Sequence, residues 1–315
     1  MLLGLAVALA PPPALAQINF STVAIDQPLT VSEIQTAAQA TSTASIDGVA
    51  LGPGNDLFVI HTDAASDETF LQIDPASNVV SLRRTAAQVA TDLGAPYSSA
   101  FTLVGEFVWD RNRGAQGTLY FADNAVAGPP NFDEFALLAL DVATRTASEV
   151  LRNNSIAAWN SHGVLSDGQI VGTLGEDIEI LVPGEEPQTG LVNPLAVAPS
   201  WELKFEEDDY KALIVPPPIG HLPPETIGVD PRNDDVYVFC HDELEIFRIE
   251  DINTVTPTLT RLDIPGWTGA VDLHGLAVDE GGNVYGFDEA AEAIVVWNGT
   301  STFSVPFANI PTALG

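Results

Sequence analysis

Three side chains that can bind a divalent metal ion stand at matching places in separate segments of the chain. Asp47, His162 and His274 each lie directly before a glycine that opens a short apolar run. Carboxylate and neutral imidazole are competent ligands for divalent cations, and a histidine beside a carboxylate can act as a general base. If the segments are equivalent, the three residues predict a metal site, with His162 and His274 as candidate catalytic residues and calcium, magnesium or zinc as the cofactor. The structural alternative is that the histidines bond to neighbouring backbone groups.

The segments that contain these residues form a repeat. Each unit continues from its glycine into an apolar run, a turn rich in Asp, Gly and Asn, and further short apolar runs. The glycines are Gly48, Gly105, Gly163, Gly228 and Gly275. Short apolar runs separated by turn residues are typical of antiparallel strands. Units of four strands at intervals of roughly 45 to 65 residues predict the blades of a β-propeller.

The predicted fold class is therefore all-β, a β-propeller of four-stranded antiparallel blades, with six blades favoured and five as the alternative. The choice depends on residues 195–218, LAVAPSWELKFEEDDYKALIVPPP. These residues could form a reduced blade with strands near 195–198, 201–206 and 210–215, or an insertion between blades. A strand near 18–25 is expected to pair with the last blade and close the ring, which would remove exposed sheet edges.

The N-terminus predicts export. Residues 1–16 contain no charged side chain, and an apolar run from Leu2 to Ala10 leads to Ala14-Leu15-Ala16, a small-x-small cleavage pattern. The run is too short to span a bilayer. We expect a signal peptide at 1–16, a strand and linker segment at 17–44, and the propeller domain at 45–315. The mature protein would be secreted or periplasmic and would have no membrane span.

The cysteine content and the charge restrict the source and the partners. Cys240 is the only cysteine, so no intrachain disulfide can form, and an exported chain without disulfides favours a bacterial source. The 43 acidic and 11 basic side chains give a net charge of -32. Such a surface repels phosphate groups, which excludes nucleic acid as a partner. A protein, a glycan or a small molecule remains as the expected ligand.

Three units carry a resemblance to a known family. The segments GVALGPGNDLFVIHTD, GLAVDEGGNVYGFDE and IGVDPRNDDVYVFCHDE resemble blades of the NHL-repeat and gluconolactonase-like superfamily of six-bladed propellers, and the pattern covers most of residues 45–307. The resemblance implies either a non-catalytic binding module or a lactone hydrolase or lyase with a divalent cation in the central tunnel. The tunnel ligands of that family are typically Glu, Asn and Asp. Glu106, Asn160 and Asp272 are loose candidates here, and Glu225 stands three residues before Gly228 rather than one.

Two hypotheses for the function follow. The first is an exported, acidic propeller that binds a ligand or a protein on one face of the ring. The second is a divalent-metal-dependent hydrolase or lyase with its site in the central tunnel. A further set of acids recurs after the second strand of four units, and its regularity predicts that each accepts backbone N–H bonds in a local turn. These acids are Asp63, Asp123, Asp242 and Asp288.

Overall fold

The protein is described by a computed structural model. The structure describes residues 30–306, except 54–55, 95–96, 98–102, 124–134, 154–158, 175, 183, 186–191, 194–199, 216, 219, 221, 241–243, 268–272, 289 and 292. The expected signal peptide and the expected strand near 18–25 lie outside the described residues. No helix in the described part of the chain is long and apolar enough to cross a membrane.

Five four-stranded antiparallel sheets make up the fold, and we number them as blades in chain order. Blade 1 contains β1 Ser45–Leu51, β2 Leu57–Thr62, β3 Glu68–Asp74 and β4 Val79–Thr85. Blade 2 contains β5 Leu103–Asp110, β6 Thr118–Asp123, β7 Phe135–Asp141 and β8 Thr146–Asn153. Blade 3 contains β9 Trp159–Val164, β10 Ile170–Leu174, β11 Asp177–Val182 and β14 Ser200–Phe205. Blade 4 contains β15 Pro224–Val229, β16 Val236–Cys240, β17 Glu245–Glu250 and β18 Thr258–Leu262. Blade 5 contains β19 Leu273–Val278, β20 Val284–Asp288, β21 Ala293–Trp297 and β22 Thr302–Pro306.

The remaining elements are short. The helices are α1 Val31–Ala38, α2 Ala86–Leu93 and α3 Glu207–Lys211, and a two-residue pair is formed by β12 Gly184–Glu185 and β13 Val192–Asn193. Both longer helices begin at a threonine in a capping box. The Thr30 hydroxyl accepts the Glu33 backbone N–H and the Thr85 hydroxyl accepts the Gln88 backbone N–H, which satisfies donors that a helix start leaves free.

The predicted architecture is confirmed as an all-β propeller of four-stranded antiparallel blades, and the described residues form the five-blade alternative. Residues 195–218, which had favoured a sixth blade, contain an outer strand and a short helix instead. Ser200–Phe205 pairs with β11 as the outer strand of blade 3, and the residues after it form the short helix α3. The sequence could not distinguish a blade start from a delayed fourth strand, because both are short apolar runs.

Successive blades pack face to face through apolar side chains. Blades 1 and 2 share one core, in which the Phe70 and Phe121 rings lie 4.8 Å apart. Comparable cores join blade 2 to blade 3, blade 3 to blade 4, and blade 4 to blade 5. The other face of blade 1 is covered by α1, whose Ile34 packs with Val59 and Leu71 of the sheet. Blades 1 to 4 are therefore covered on both faces, and the described core of blade 5 is the one that it shares with blade 4.

The innermost strands approach closely at two glycines. A Cβ atom added to Gly163 of β9 would lie 2.5 Å from Cγ2 of Val229 in β15. A Cβ atom added to Gly228 of β15 would lie 3.2 Å from Cβ of Leu276 in β19. Glycine is thus needed here for the spacing between blades rather than for an unusual backbone angle.

We predict that Gly163→Ala destabilises the protein by about 1–3 kcal/mol, because the added methyl group overpacks the contact with Val229. Urea denaturation would measure the change. The control is Gly220→Ala, because an added Cβ at Gly220 meets no atom within 4 Å. Equal stability of the two variants would contradict the close packing of β9 and β15.

Candidate functional site: the axis of the ring

Strand pairing fixes which residues lie at the same level along the ring axis. Within their blades, Val49 pairs with Val59, His162 with Gly172, Ile227 with Val238 and Leu276 with Gly286. We call the level of Val49, His162, Ile227 and Leu276 the reference level. The turns after these strands agree with that register. The N–H groups of Leu165, Asp230 and Asp279, each three residues further on, all donate to a carbonyl across the turn to the second strand.

This register differs from the alignment on glycines. Gly163 and Gly228 stand one residue after the reference level, whereas Gly48 and Gly275 stand one residue before it. The residues before the glycines therefore do not form one layer. Asp47 and His274 lie two residues before the reference level and His162 lies on it. The predicted set of three is divided between two levels of the axis.

Each innermost strand is irregular at the level of Asp47 and His274. The pairing shifts between Ile46 and Gly48 in β1, between Pro224 and Thr226 in β15, and between Leu273 and Leu276 in β19. The β5 and β9 ladders show the same kind of break. An extra residue in one strand bends it and increases its twist. A bulge in all five innermost strands thus marks a common level near their starts.

The bulge level groups residues that the sequence did not group. Two residues before the reference level stand Asp47, Asn160, Glu225 and His274. Asn160 and Glu225 were considered only through the family resemblance, and Glu225 was set aside because of its spacing from Gly228. The signal that would have found them is the distance back from the turn, because Asn160, Glu225 and His274 each stand five residues before the turn residues Leu165, Asp230 and Asp279. The metal prediction for Asp47 and His274 stays a prediction, because their side chains lie outside the described residues.

The described side chains do not form a metal site. Within the part of the chain that the structure describes, no group of three or more His, Cys, Asp or Glu residues could hold a metal ion. His162 instead lies fully buried, with Nε2 3.2 Å from the carbonyl oxygen of Tyr120 in the neighbouring blade. Burial disfavours the charged imidazolium and lowers the pKa of His162 to about 4. This backbone contact is the one that the structural alternative predicted.

Side-chain hydroxyls link the innermost strands of blades 3, 4 and 5 one residue before the reference level. The Ser161 hydroxyl accepts the N–H of Ile227 at 3.1 Å, and the Thr226 hydroxyl accepts the N–H of Leu276 at 3.0 Å. Ser161 and Thr226 occupy equivalent positions, one residue before the reference level. The bonds satisfy buried backbone donors that strand pairing within a blade cannot reach.

The axis itself contains an apolar channel. A cavity of about 290 Å³ is lined by three successive levels of the innermost strands, and residues of all five blades contribute to it. Its walls are mainly aliphatic and glycine residues, with Trp109 and His162 as the larger side chains. Among the lining residues, Val49 and Leu51 remain 56% and 63% exposed. The channel can therefore accept an apolar group, and its described lining residues include no pair of groups suited to acid–base chemistry.

The channel opens into a wider mouth where the first strand of each blade turns into the second. This mouth has a volume of about 660 Å³ and combines Leu51 and Trp109 with a rim of polar side chains. Rim residues from four blades contribute to it, and the acidic ones are Asp110, Asp234, Asp279 and Glu280. Arg111 faces Glu280 across the mouth at 3.7 Å, and both side chains are largely exposed.

Most of the rim carboxylates are held by local hydrogen bonds. Asp279 accepts bonds from the backbone of Gly281 and Asn283 and from the Tyr285 hydroxyl. Burial alone would raise the pKa of Asp279, but these bonds outweigh it and the pKa is lowered. Asp234 accepts the N–H of Ser166 at 2.8 Å and thereby joins blade 4 to blade 3. Glu280 differs, since 87% of its side chain is exposed and its one ion pair is long.

The recurring acids after the second strands behave as local turn residues where they are described. Asp63 accepts the N–H groups of Ala65 and Asp67, and Asp288 accepts the N–H of Ala291. Asp123 is buried, and Asp242 lies outside the described residues. The turn role predicted for these acids is therefore confirmed at Asp63 and Asp288.

Comparison with known proteins places the fold in the class of β-propellers. No family model and no curated protein matches the sequence. A structure of a nidogen/laminin complex is similar with a TM-score of 0.51 and 9% identity, covering 84% of this chain and 81% of that one. Regucalcin from Agrobacterium tumefaciens, titled a calcium-binding protein, gives 0.51 and 12% over 84% of this chain and 76% of its own. Virginiamycin B lyase from Staphylococcus aureus gives 0.48 and 13% over 84% and 70%.

These neighbours agree with the propeller fold that the resemblance implies. At such low identity the likeness shows the fold alone. The choice between the two hypotheses therefore depends on the residues of this chain.

The buried imidazole makes a testable prediction about stability. The pKa of His162 falls from 6.5 to about 4 on folding, so the unfolded chain binds more protons between these pH values. The stability that the neutral ring permits is fully present above pH 6.5 and is lost as the pH falls towards 4. We expect wild type to lose roughly 3 kcal/mol more than His162→Gln over that range.

Urea denaturation of both proteins at pH 7 and pH 4 would measure this difference. Glutamine is chosen because its amide can still donate to the Tyr120 carbonyl. A parallel loss of stability in both proteins would show that the imidazole is not held neutral in the fold.

Proposed function

We propose that the protein is an exported binding module that engages its ligand at the mouth of the axial channel. We further propose that the ligand is a protein segment that carries an apolar side chain next to a basic one. The observation that carries the proposal is the combination of an apolar channel with an acidic rim at one end of the axis.

The size and chemistry of the mouth support this ligand class. Its volume of about 660 Å³ is within the range of ligand sites. Leu51 and Trp109 offer apolar contact area, and an indole face also attracts cations. The net charge of -32 attracts a basic partner over a long range and speeds its encounter with the surface.

Glu280 is the rim residue best suited to meet a cation. Its side chain is 87% exposed and its distance to Arg111 is 3.7 Å, so a stronger cationic partner can replace that contact at little cost. The other rim carboxylates already accept hydrogen bonds from turn residues of their own or the neighbouring blade. They therefore stabilise the turns and also contribute to the negative electrostatic field at the mouth.

We predict that Glu280→Lys weakens binding of a short Leu- and Lys-containing peptide by about tenfold, which corresponds to ~1.4 kcal/mol. Isothermal titration at low and at physiological salt would measure it, and wild-type affinity should fall as salt rises. The control is Asp208→Lys, an exposed acid of α3 on blade 3 whose replacement changes the net charge equally.

Two results would count against a binding site at the mouth. One is an equal effect of the two substitutions, which would indicate a purely long-range effect of charge. The other is equal binding of a matched Leu- and Glu-containing peptide.

The hydrolase or lyase alternative is favoured by a different observation at the opposite end of the axis. The bulges bring the backbones of Asp47, Asn160, Glu225 and His274 to one level, and these residue types are competent ligands for a divalent cation. We propose this layer, without His162, as the site to test for that function.

The test is the metal content of the purified protein after dialysis. The alternative expects one equivalent of calcium, magnesium or zinc, lost in Glu225→Gln and in His274→Ala and retained in His162→Gln. Metal-free wild-type protein, or equal metal content in all variants, would remove the alternative and leave binding at the mouth unaffected.

A further inference from the structure

A second cavity lies at the rim of the ring, away from the axis. It is a groove of about 580 Å³ between α1 and the outer strand β4 of blade 1, and the turn between β7 and β8 of blade 2 closes one side. The residues that matter for its chemistry are Glu33, Thr36, Asn78, Ser81, Arg83 and Arg145. We call it the α1–β4 groove.

The groove holds two arginines that form no ion pair within the described residues. The chain has 43 acidic and 11 basic side chains, so a basic side chain seldom lacks a carboxylate beside it. Seven of the other described basic residues do form ion pairs: Arg84, Arg111, Lys204, Lys211, Arg232, Arg248 and Arg261. Arg83 and Arg145 form none, and both line this groove.

Local structure fixes where the two arginines stand. Arg83 follows Leu82, which packs in the core shared with blade 2, and it therefore faces the other side of β4, towards α1. Arg145 has a left-handed backbone (φ 61°) at the end of a turn, where its N–H donates to the Asp141 carbonyl at 2.8 Å. One guanidinium nitrogen of Arg145 donates to the Ser81 carbonyl at 3.0 Å. This bond ties the blade 2 turn to the strand of Arg83 and leaves further donors of the guanidinium for a ligand.

The one acid in the groove is already bound. Glu33 accepts the backbone N–H of Thr30 and the side-chain amide of Asn78, at 2.8 Å and 2.7 Å. The hydrogen bond from the Thr30 backbone is the main cause that lowers the pKa of Glu33, so it stays ionised at neutral pH. Two guanidinium groups and one carboxylate leave the groove with a single net positive charge.

We propose that the α1–β4 groove binds a polar ligand with one carboxylate, of the size of a sugar acid. A guanidinium group offers two parallel N–H donors that match a carboxylate, and this geometry favours carboxylates over neutral groups. The hydroxyl and amide groups of Thr36, Ser81 and Asn78 provide partners for sugar hydroxyls. The volume of about 580 Å³ accommodates one such ring with bound water.

The proposal is tested with D-glucuronate and D-glucose as probes, since the two sugars differ only in the carboxylate. Titration calorimetry or ligand-observed NMR on the full chain should show binding of glucuronate and at least tenfold weaker binding of glucose. Arg83→Gln and Arg145→Gln should each weaken glucuronate binding by about tenfold, as expected for a lost charged hydrogen bond.

The matched control is Arg84→Gln. It removes the same charge from the next residue of β4, where the side chain faces away from the groove and pairs with Asp92. Unchanged glucuronate binding in this variant supports the site, and thermal melting of all three variants separates binding from stability. Equal weakening in all three variants, or equal binding of glucuronate and glucose, would overturn the proposal.

Discussion

The structure depends on covering the apolar faces of its four-stranded sheets. The second and third strands of a blade are buried along almost their whole length, as in β2, β3, β6 and β16. A sheet with two apolar faces cannot be stable alone, so each blade relies on its neighbours. Aromatic side chains such as Phe70 and Phe121 provide much of this contact between blades 1 and 2. Blade 1 meets the requirement on its far side with a helix, since α1 packs Ile34 and Ala38 against the sheet.

The same stacking determines the spacing of the innermost strands and so the shape of the axis. Where β9, β15 and β19 come together, Gly163 and Gly228 leave room for Val229 and Leu276. The hydroxyls of Ser161 and Thr226 then bond across the blades to backbone groups of the next strand. A narrow channel lined mainly by aliphatic and glycine residues results, and it widens at one end into a polar mouth.

The acidic residues have two roles. Some accept hydrogen bonds within turns, and others produce the long-range electrostatic field. Asp63, Asp279 and Asp288 accept backbone N–H groups of their own turns, which replaces hydrogen bonds that the turns would otherwise lack. Several of the basic residues pair with acids of their own blade, as Arg261 does with Glu245 and Arg248 with Asp235. The long-range field is therefore carried by exposed acids such as Glu280. Arg83 and Arg145 of the α1–β4 groove differ from these basic residues, because they form no ion pair within the described residues.

The sequence by itself determined the repeat, the antiparallel four-stranded units and the turn role of Asp63 and Asp288. These features depend on local patterns of apolar, glycine and aspartate residues, which the chain shows directly. Only the tertiary structure decided that β14 completes blade 3, that His162 is buried against Tyr120, and that Glu225 rather than His162 stands level with Asp47 and His274. The physical reason is that the glycines occupy different positions in the innermost strands, since Gly163 and Gly228 follow the reference level and Gly48 and Gly275 precede it. The level of a side chain on the axis is therefore fixed by hydrogen bonds to the second strand and not by distance from a glycine.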